Sequence, residues 1–301
     1  MLSLHGIIPA LVTPSDGSGA VNLRPVPKLI DFMLSRRVDG FFIGGTTGEG
    51  FRLTTEERKG LAEIAVEHVA RRVPVVIHVG SMNSREAAAL ARHAAQIGAD
   101  AVSSVLPFYY AYDLPEIRGY YQSIADSCGL PIIIYCLTGA GDTSFGAERF
   151  LDVMSSVDGL YGIKFSENDL FKMQCLAQLG DGRVHLYGGV DMLALAMLAM
   201  GAKGLIGSGY NAVPEPWVEL RDAFSRGDMT RAIELQGRIT YYMRRFGATQ
   251  PIARAKYLLR LRGIDVGQPW PPHAPLSAEQ EKLLAEILAE MKADPLLKMR
   301  D

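Results

Sequence analysis

Residues 40–79 read GFFIGGTTGEGFRLTTEERKGLAEIAVEHVARRVPVVIHV, and this stretch contains one strand–helix–strand unit. The apolar runs at Gly40–Gly44 and Val75–Val79 are typical of short strands that are buried on both faces. Between them, Thr54 followed by Glu57 has the pattern of a capping box, which predicts the beginning of a helix. Two strands joined by a helix form a unit in which the strands run parallel.

The same alternation extends in both directions, and Asn83 with Glu86 predicts a second capping box. Further strands are expected at Ile7–Thr13, Ala101–Leu106, Ile132–Cys136, Gly162–Ser166, His185–Gly188 and Gly204–Gly207. Alternating strands and helices form either a closed barrel or an open doubly wound sheet, and the strand count with a length of 301 residues favours the barrel. Beyond a helix near Glu215–Ser225 the pattern is purely helical. We therefore predict an α/β fold, a (β/α)8 TIM barrel over residues 1–226, with a C-terminal helical extension over 227–301.

The composition excludes several classes of protein. With 48% hydrophobic residues and a net charge of −2, the chain can form a large core. Its paired arginines, such as Arg244 and Arg245, are scattered among acids and indicate solvated helix faces, so no nucleic acid partner is expected. The apolar stretch Leu193–Met200 is far shorter than the roughly 20 residues of a membrane span. Three cysteines without CxxC spacing fit a reducing compartment, and we expect a cytoplasmic protein that does not contact a membrane.

Lys164 is the most informative single residue, because it interrupts the apolar run Leu160–Phe165. Burying an amine in a strand is costly unless the amine is paired or its pKa is depressed. Active sites tolerate such a lysine, since a desolvated amine is an unprotonated nucleophile near neutral pH. An edge-strand lysine with its ammonium group in water explains this segment equally well. The choice between the two depends on the residues at the ends of the other strands.

In a (β/α)8 barrel the carboxyl ends of all strands meet on one face, whatever their distance in sequence. The residues expected on that face are Thr46, Thr47, Tyr109, Tyr135, Lys164, Ser166, Asp191 and Ser208. Taken singly, the threonines could form only a tight turn, Tyr135 could be a core tyrosine and Asp191 could cap the following helix. If each of these residues had only a structural role, their convergence on one rim would be a coincidence. Together they therefore indicate a catalytic site.

Two other kinds of site are not supported. The six histidines show no HxxxH or HExxH spacing, so no metal is expected. The segment Gly207–Ala212 formally fits the dinucleotide pattern GxGxxG/A, but no strand ending in an acid follows at the required distance. We interpret it as a close-approach turn. No organic cofactor is expected either.

Four motifs in order resemble the dihydrodipicolinate synthase/N-acetylneuraminate lyase family. They are Gly45–Glu49, Pro107–Tyr110, Tyr135 and Gly162–Lys164. The resemblance is collinear from about Gly6 to Asn211, and it implies a class I, pyruvate-dependent aldolase or lyase on a (β/α)8 barrel. Further likenesses favour the N-acetylneuraminate lyase branch. They occur at Phe108–Tyr110, Ile163–Ser166, Gly189–Asp191 and Gly207–Asn211.

The resemblance implies a role for each residue of the site. Lys164 would form a Schiff base with the keto carbon of pyruvate, and Thr46 and Thr47 would hold the adjacent carboxylate. Tyr135 would move the proton of the substrate hydroxyl. Tyr109 would reach into the site of a neighbouring subunit and complete a relay with Thr47 and Tyr135, so a homotetramer is expected. The distal part of the substrate would be bound by Ser166, Gly189, Asp191 and Ser208.

The chain departs from the family pattern at two places. Cys136–Gly141 follows Tyr135 where both branches usually have Asn, an aliphatic residue and Pro, and it lacks the arginine with which dihydrodipicolinate synthases bind a second carboxylate. Met192 stands where the lyase branch usually has a glutamate. We expect an N-acetylneuraminate lyase-like enzyme that cleaves or forms a 2-oxo-3-deoxy sugar acid, with pyruvate and a small 2-oxo acid or aldehyde as substrates. The alternatives are another 2-oxo-3-deoxy acid aldolase or dehydratase, a 4-hydroxy-tetrahydrodipicolinate synthase, and a non-catalytic barrel that binds a ligand.

Overall fold

The computed structural model describes residues 2–141, 144–247 and 249–299. An 8-stranded parallel sheet forms its centre. The strands are β1 (Gly6–Pro9), β2 (Phe41–Ile43), β3 (Val75–His78), β4 (Ala101–Val105), β5 (Ile132–Leu137), β6 (Leu160–Ser166), β7 (His185–Gly188) and β8 (Gly204–Gly207). From β2 to β8 each strand pairs with the next one along the chain, and β8 pairs with β1. Ala10, just after β1, forms a parallel bridge with Phe42 of β2, so the sheet closes into a barrel and not into an open sheet.

Helices alternate with the strands and then continue alone. They are α1 (Val26–Ser35), α2 (Thr55–Val69), α3 (Ser84–Gln96), α4 (Leu114–Cys128), α5 (Ala147–Met154), α6 (Leu170–Leu179), α7 (Ala194–Ala199), α8 (Glu215–Ser225), α9 (Met229–Phe246), α10 (Pro251–Leu261) and α11 (Ala278–Ala293). This confirms the predicted (β/α)8 barrel with a helical extension. Leu235 of α9, Leu259 of α10 and Leu284 of α11 belong to the same apolar core as the barrel helices. The division at residue 226 stays a prediction. None of the helices in the described ranges is long and apolar enough to cross a membrane.

The predicted helix starts are confirmed in part. Thr54 and Glu57 form the reciprocal capping box at the beginning of α2. Asn83 is the N-cap of α3, but the prediction of a capping box with Glu86 is wrong. The Glu86 carboxylate instead accepts a hydrogen bond of 2.6 Å from the hydroxyl of Ser81. A side-chain hydroxyl of the preceding loop therefore replaces the backbone N–H that the motif requires.

The alternation of side chains in β6 determines what the barrel lumen contains. Ile163 and Phe165 are fully buried in the outer core between the strands and the helices. Because successive side chains of a strand point to opposite faces, Lys164 and Ser166 point into the lumen. The apolar layer of the lumen is formed by Leu4, Ile8, Ala10, Phe42, Val76, Ala101, Val105, Ile133, Tyr135, Tyr187 and Ile206. It closes the barrel beneath the lysine and leaves the carboxyl ends of the strands open for polar groups.

Candidate active site

Lys164 lies in the barrel interior with only 4% of its surface exposed. β6 is flanked by β5 and β7, so the explanation as an edge-strand lysine is wrong. Its Nζ donates a hydrogen bond of 3.1 Å to Ser166 Oγ and lies 3.4 Å from the centroid of the Tyr135 ring. Within the part of the chain that the structure describes, no carboxylate forms an ion pair with Lys164. The lysine is therefore held by a hydroxyl and an aromatic face, and its nitrogen can approach a carbonyl carbon in the cavity.

Tyr135 is the direct neighbour of Lys164 in the pairing of β5 with β6. Burial alone would raise the pKa of its phenol. The nearby charge of Lys164 and the hydrogen bonds with Lys164, Thr46 and Ser166 outweigh burial, and they lower this pKa below its ordinary value. Its Oη lies 3.5 Å from the hydroxyl oxygen of Thr46. A phenol whose pKa is lowered in this way is suited to accept and return a proton.

The loop after β2 presents backbone N–H groups to the cavity. Gly44 has a φ of 72°, and Glu49 donates its N–H to the Thr46 carbonyl at 3.0 Å. A Cβ at Gly50 would collide with the Gly44 carbonyl oxygen, so this compact turn requires glycine. The N–H groups of Thr46 and Thr47 have no acceptor in the described residues. Together with the threonine hydroxyls, they form an arrangement that can bind a carboxylate.

A buried ion pair fastens this loop to the C-terminal helices. The Glu49 side chain is 1% exposed, and its Oε2 lies 3.1 Å from the Nζ of Lys256 in α10, whose side chain is also 1% exposed. Glu49 Oε1 accepts hydrogen bonds from Arg52 at 2.8 Å and from the Trp270 N–H at 3.0 Å. The sequence reasoning did not identify Lys256, because Lys256 lies far from Glu49 in the sequence and no local pattern links the two. The helical extension thus helps to position Thr46 and Thr47.

Asp191 and Ser208 form a polar group on the other side of the cavity, between β7 and β8. Asp191 Oδ2 accepts hydrogen bonds from the Gly209 N–H at 2.7 Å and from the Ser208 hydroxyl at 3.2 Å. Burial raises the pKa of Asp191 more than these hydrogen bonds and the charge of Lys164 lower it. The explanation as a helix cap is wrong, because the carboxylate is bound to the loop after β8. Gly207 allows this approach, since a Cβ there would collide with Asp191 Oδ1, and the absence of a Cβ at Gly189 leaves room for Ser166 Oγ.

One cavity of about 620 Å³ joins these groups at the carboxyl ends of the strands. The predicted residues that line it are Thr46, Thr47, Tyr135, Lys164, Ser166, Gly189, Asp191 and Ser208. Tyr109 does not line it. Its side chain is 82% exposed, its φ is 82°, and its ring packs against Tyr110 with 5.0 Å between centroids. The role of Tyr109 in a neighbouring subunit stays a prediction.

The loop that departs from the family pattern contributes little to this cavity. Cys136 faces the outer core, as alternation in β5 predicts, and burial raises the pKa of its thiol to about 12. Leu137 lines the cavity and forms an antiparallel bridge with Ala140, whereas Thr138 does not line it. The loop therefore gives the cavity an apolar wall. Asp142 and Thr143 lie outside the described residues.

Two arginines that the sequence reasoning did not identify also line the cavity. Arg244 is in α9 and Arg254 is in α10. The sequence pattern predicted a solvated helix face at Arg244, and its side chain is indeed exposed, but at the mouth of the cavity. No local pattern marks these positions, because the extension brings them to the site by folding back over the barrel. Met192 lines the same cavity and is 53% exposed.

Comparison with known proteins agrees with this geometry. Residues 3–291 match the model of the Dihydrodipicolinate synthetase family. The chain is 29% identical to the N-acetylneuraminate lyase of Rhizobium meliloti, over 95% of this chain and 94% of the relative. It is 30% identical to 4-hydroxy-tetrahydrodipicolinate synthase 2 of Halalkalibacterium halodurans, over 95% and 98%. The structure of Proteus mirabilis N-acetylneuraminate lyase superposes with a TM-score of 0.89 at 31% identity, covering 98% of this chain and 99% of that one.

The ion pair of Glu49 and Lys256 yields a prediction about stability. Lys256→Met is expected to lower the free energy of unfolding by about 3 kcal/mol, because it leaves a buried carboxylate with less compensation. Lys59→Met is the matched control, since Lys59 pairs with an exposed Glu56 at 2.7 Å and its loss is expected to cost less than about 1 kcal/mol. Urea unfolding followed by circular dichroism measures both. Equal effects in the two variants would contradict the predicted role of the buried pair.

Proposed function

The chain belongs to the dihydrodipicolinate synthetase family, whose members are class I lyases, and on this premise we propose an N-acetylneuraminate lyase-like activity. The enzyme would cleave or form a 2-oxo-3-deoxy sugar acid, with pyruvate as one partner and a Schiff base as the intermediate. The observation that carries the proposal is the buried amine of Lys164, which lies 3.4 Å from the centre of the Tyr135 ring in the cavity that Thr46 and Thr47 line.

Cleavage would begin with formation of the imine. The carboxylate of the 2-oxo acid would accept hydrogen bonds from Thr46 and Thr47, which brings its C2 carbon to the Lys164 amine. Attack of the amine and loss of water would give a protonated imine at C2, an electron sink for the next step. Ser166, whose hydroxyl is 3.1 Å from Nζ, would orient the amine.

Carbon–carbon bond cleavage would then depend on Tyr135. Its phenolate, favoured by the lowered pKa, would remove the proton of the C4 hydroxyl. The C3–C4 bond would break, its electrons would move to the iminium nitrogen, and an aldehyde would leave. Protonation of the resulting enamine at C3 and hydrolysis of the imine would release pyruvate and restore Lys164. Condensation is the reverse of this sequence.

The distal side of the cavity supports a hydroxylated substrate. Asp191 and Ser208 are mutually hydrogen-bonded polar groups in a site that is otherwise largely apolar, and both are suited to substrate hydroxyls. The similarity to proteins named N-acetylneuraminate lyase supports the same assignment. The similarity to the Halalkalibacterium halodurans protein supports 4-hydroxy-tetrahydrodipicolinate synthase activity as an alternative. Another 2-oxo-3-deoxy acid aldolase or dehydratase could use the same imine. A non-catalytic barrel would not need both Lys164 and Tyr135.

Trapping of the imine tests the mechanism. Incubation with pyruvate and borohydride, followed by peptide mass mapping, is expected to show the reduced adduct on Lys164. Lys256 is an internal control, because it is the other buried lysine in the described residues. Lys164→Ala is expected to abolish turnover and leave the circular dichroism spectrum unchanged, since the covalent route is lost. An adduct on another lysine, with Lys164 unmodified, would refute the mechanism.

We also propose that the active enzyme is a homotetramer. The support is Tyr109, whose exposed side chain lies outside its own cavity and whose predicted role requires the cavity of a neighbour. Light scattering is expected to give the mass of four chains. Tyr109→Phe is expected to lower kcat by about tenfold or more without loss of the borohydride adduct, because only proton transfer is affected. A monomer with full activity at the assay concentration would contradict this proposal.

The segment Leu137–Gly141, which carries no charged side chain, predicts poor use of aspartate semialdehyde. An arginine at this position would contribute a charge-assisted hydrogen bond of about 1.5–3 kcal/mol to the substrate carboxylate. Its absence is expected to reduce kcat/KM by about tenfold to a hundredfold relative to an enzyme that has this arginine. The arginines of the cavity do not replace this contact, since Arg254 adjoins Ser208 on the β8 side. Steady-state kinetics should give a lower kcat/KM for condensation of pyruvate with aspartate semialdehyde than for cleavage of a polyhydroxy 2-oxo acid. The opposite order would favour the synthase.

A further inference from the structure

The distal wall of the cavity carries cationic groups that the proposed chemistry does not use. Arg244 of α9 and Arg254 of α10 line the cavity together with the amino-terminal residues of α10. We propose that this wall binds a second carboxylate at the far end of the substrate. The preferred aldehyde partner would then be a hydroxy acid semialdehyde, and the complete substrate a hydroxylated 2-oxo-3-deoxy dicarboxylic acid. This inference rests on the proposed function and specifies its substrate class.

The contacts of Arg254 leave part of its guanidinium group free. Its Nη1 donates to the carbonyl of Phe246 at 2.8 Å and also to that of Gly247, so this nitrogen caps the end of α9. Neither Nε nor Nη2 forms a hydrogen bond with the described residues, and no carboxylate pairs with the group. Arg254 is half-buried, and burial lowers the pKa of its guanidinium group below the ordinary value. A cap alone needs one nitrogen, and the remaining nitrogens can bind a carboxylate by two parallel hydrogen bonds.

Arg254 lies next to the groups assigned to the substrate hydroxyls. Arg254 and Ser208 also line a second, smaller cavity together, so the two residues are neighbours. Ser208 in turn donates to Asp191, whereas the proposed pyruvate site is formed by residues of β2, β5 and β6. The amino end of α10 adds to the positive potential, because Pro251 and Ile252 line the cavity and Gln250 forms no side-chain cap.

Charge balance favours a dianionic substrate. The charged side chains that line the cavity in the described residues are Lys164, Arg244, Arg254 and Asp191. Asp191 already accepts hydrogen bonds from Gly209 and Ser208, and the pyruvate carboxylate would be bound near Lys164. A substrate with a single carboxylate would therefore leave Arg244 and Arg254 without a partner of opposite charge. A terminal carboxylate supplies one, whereas a terminal CH2OH group does not, and an ammonium group beside the carboxylate would be repelled.

Two aldehydes of equal carbon number test this inference in the condensation direction. Tartronate semialdehyde and glyceraldehyde differ only in a terminal carboxylate or CH2OH group. With saturating pyruvate, the wild-type enzyme is expected to show a kcat/KM about tenfold or more higher for tartronate semialdehyde. Arg254→Gln and Arg244→Gln are each expected to reduce this preference by about tenfold. Arg226→Gln removes the same charge from an exposed position outside the cavity and is expected to keep the wild-type preference.

The Arg244→Gln variant keeps the inference testable if Arg254→Gln does not fold. The Arg244 side chain makes no hydrogen bond or ion pair with the described residues, so Arg244→Gln should fold even if Arg254→Gln loosens the end of α9. A wild-type enzyme without preference, or a preference that persists in both arginine variants, would overturn the inference. A higher kcat/KM for glyceraldehyde 3-phosphate than for tartronate semialdehyde would overturn the assignment to a carboxylate. An absent borohydride adduct at Lys164 would overturn the proposed function together with the inference, whereas a normal adduct without acid preference would overturn the inference alone.

Discussion

The burial of one amine in the barrel lumen is the constraint on which the site depends. Lys164 is tolerated there because Ser166 accepts a hydrogen bond and the Tyr135 ring covers the nitrogen. Closure of the sheet between Ala10 and Phe42 is required as well, because an open sheet would not surround the amine on all sides. The charge of Lys164 also lowers the pKa of the Tyr135 phenol, against the effect of burial. The proposed nucleophile and the proposed proton carrier are therefore in direct contact.

The C-terminal helices act on both ends of the cavity. At one end, the buried pair of Glu49 and Lys256 holds the loop that presents the N–H groups of Thr46 and Thr47. At the other end, Arg244 and Arg254 supply positive charge where the barrel itself supplies none. On the proposed function, the barrel would provide the chemistry, and the extension would provide geometry and selectivity.

The sequence predicted the fold and most of the site, since both depend on local patterns. Period-2 alternation places Lys164 inward and Cys136 outward, and the strand order then brings the polar strand ends together. Strand β1 is shorter than predicted, because the Val12 N–H donates to the Asn211 side chain at 2.9 Å and not to a neighbouring strand. Lys256 and Arg254 could not be predicted in this way. Their positions at the cavity depend on how α10 packs over its mouth, and nothing in the apolar pattern of α10 specifies that packing.

The central claim is that Lys164 and the loop of Thr46 and Thr47 form one pyruvate site. A crystal structure of the enzyme soaked with pyruvate tests it most directly. We predict continuous electron density between Lys164 Nζ and C2 of pyruvate, with the carboxylate within hydrogen-bond distance of the N–H groups of Thr46 and Thr47. Pyruvate bound without a covalent bond, with its carboxylate at Arg244 or Arg254, would contradict the account.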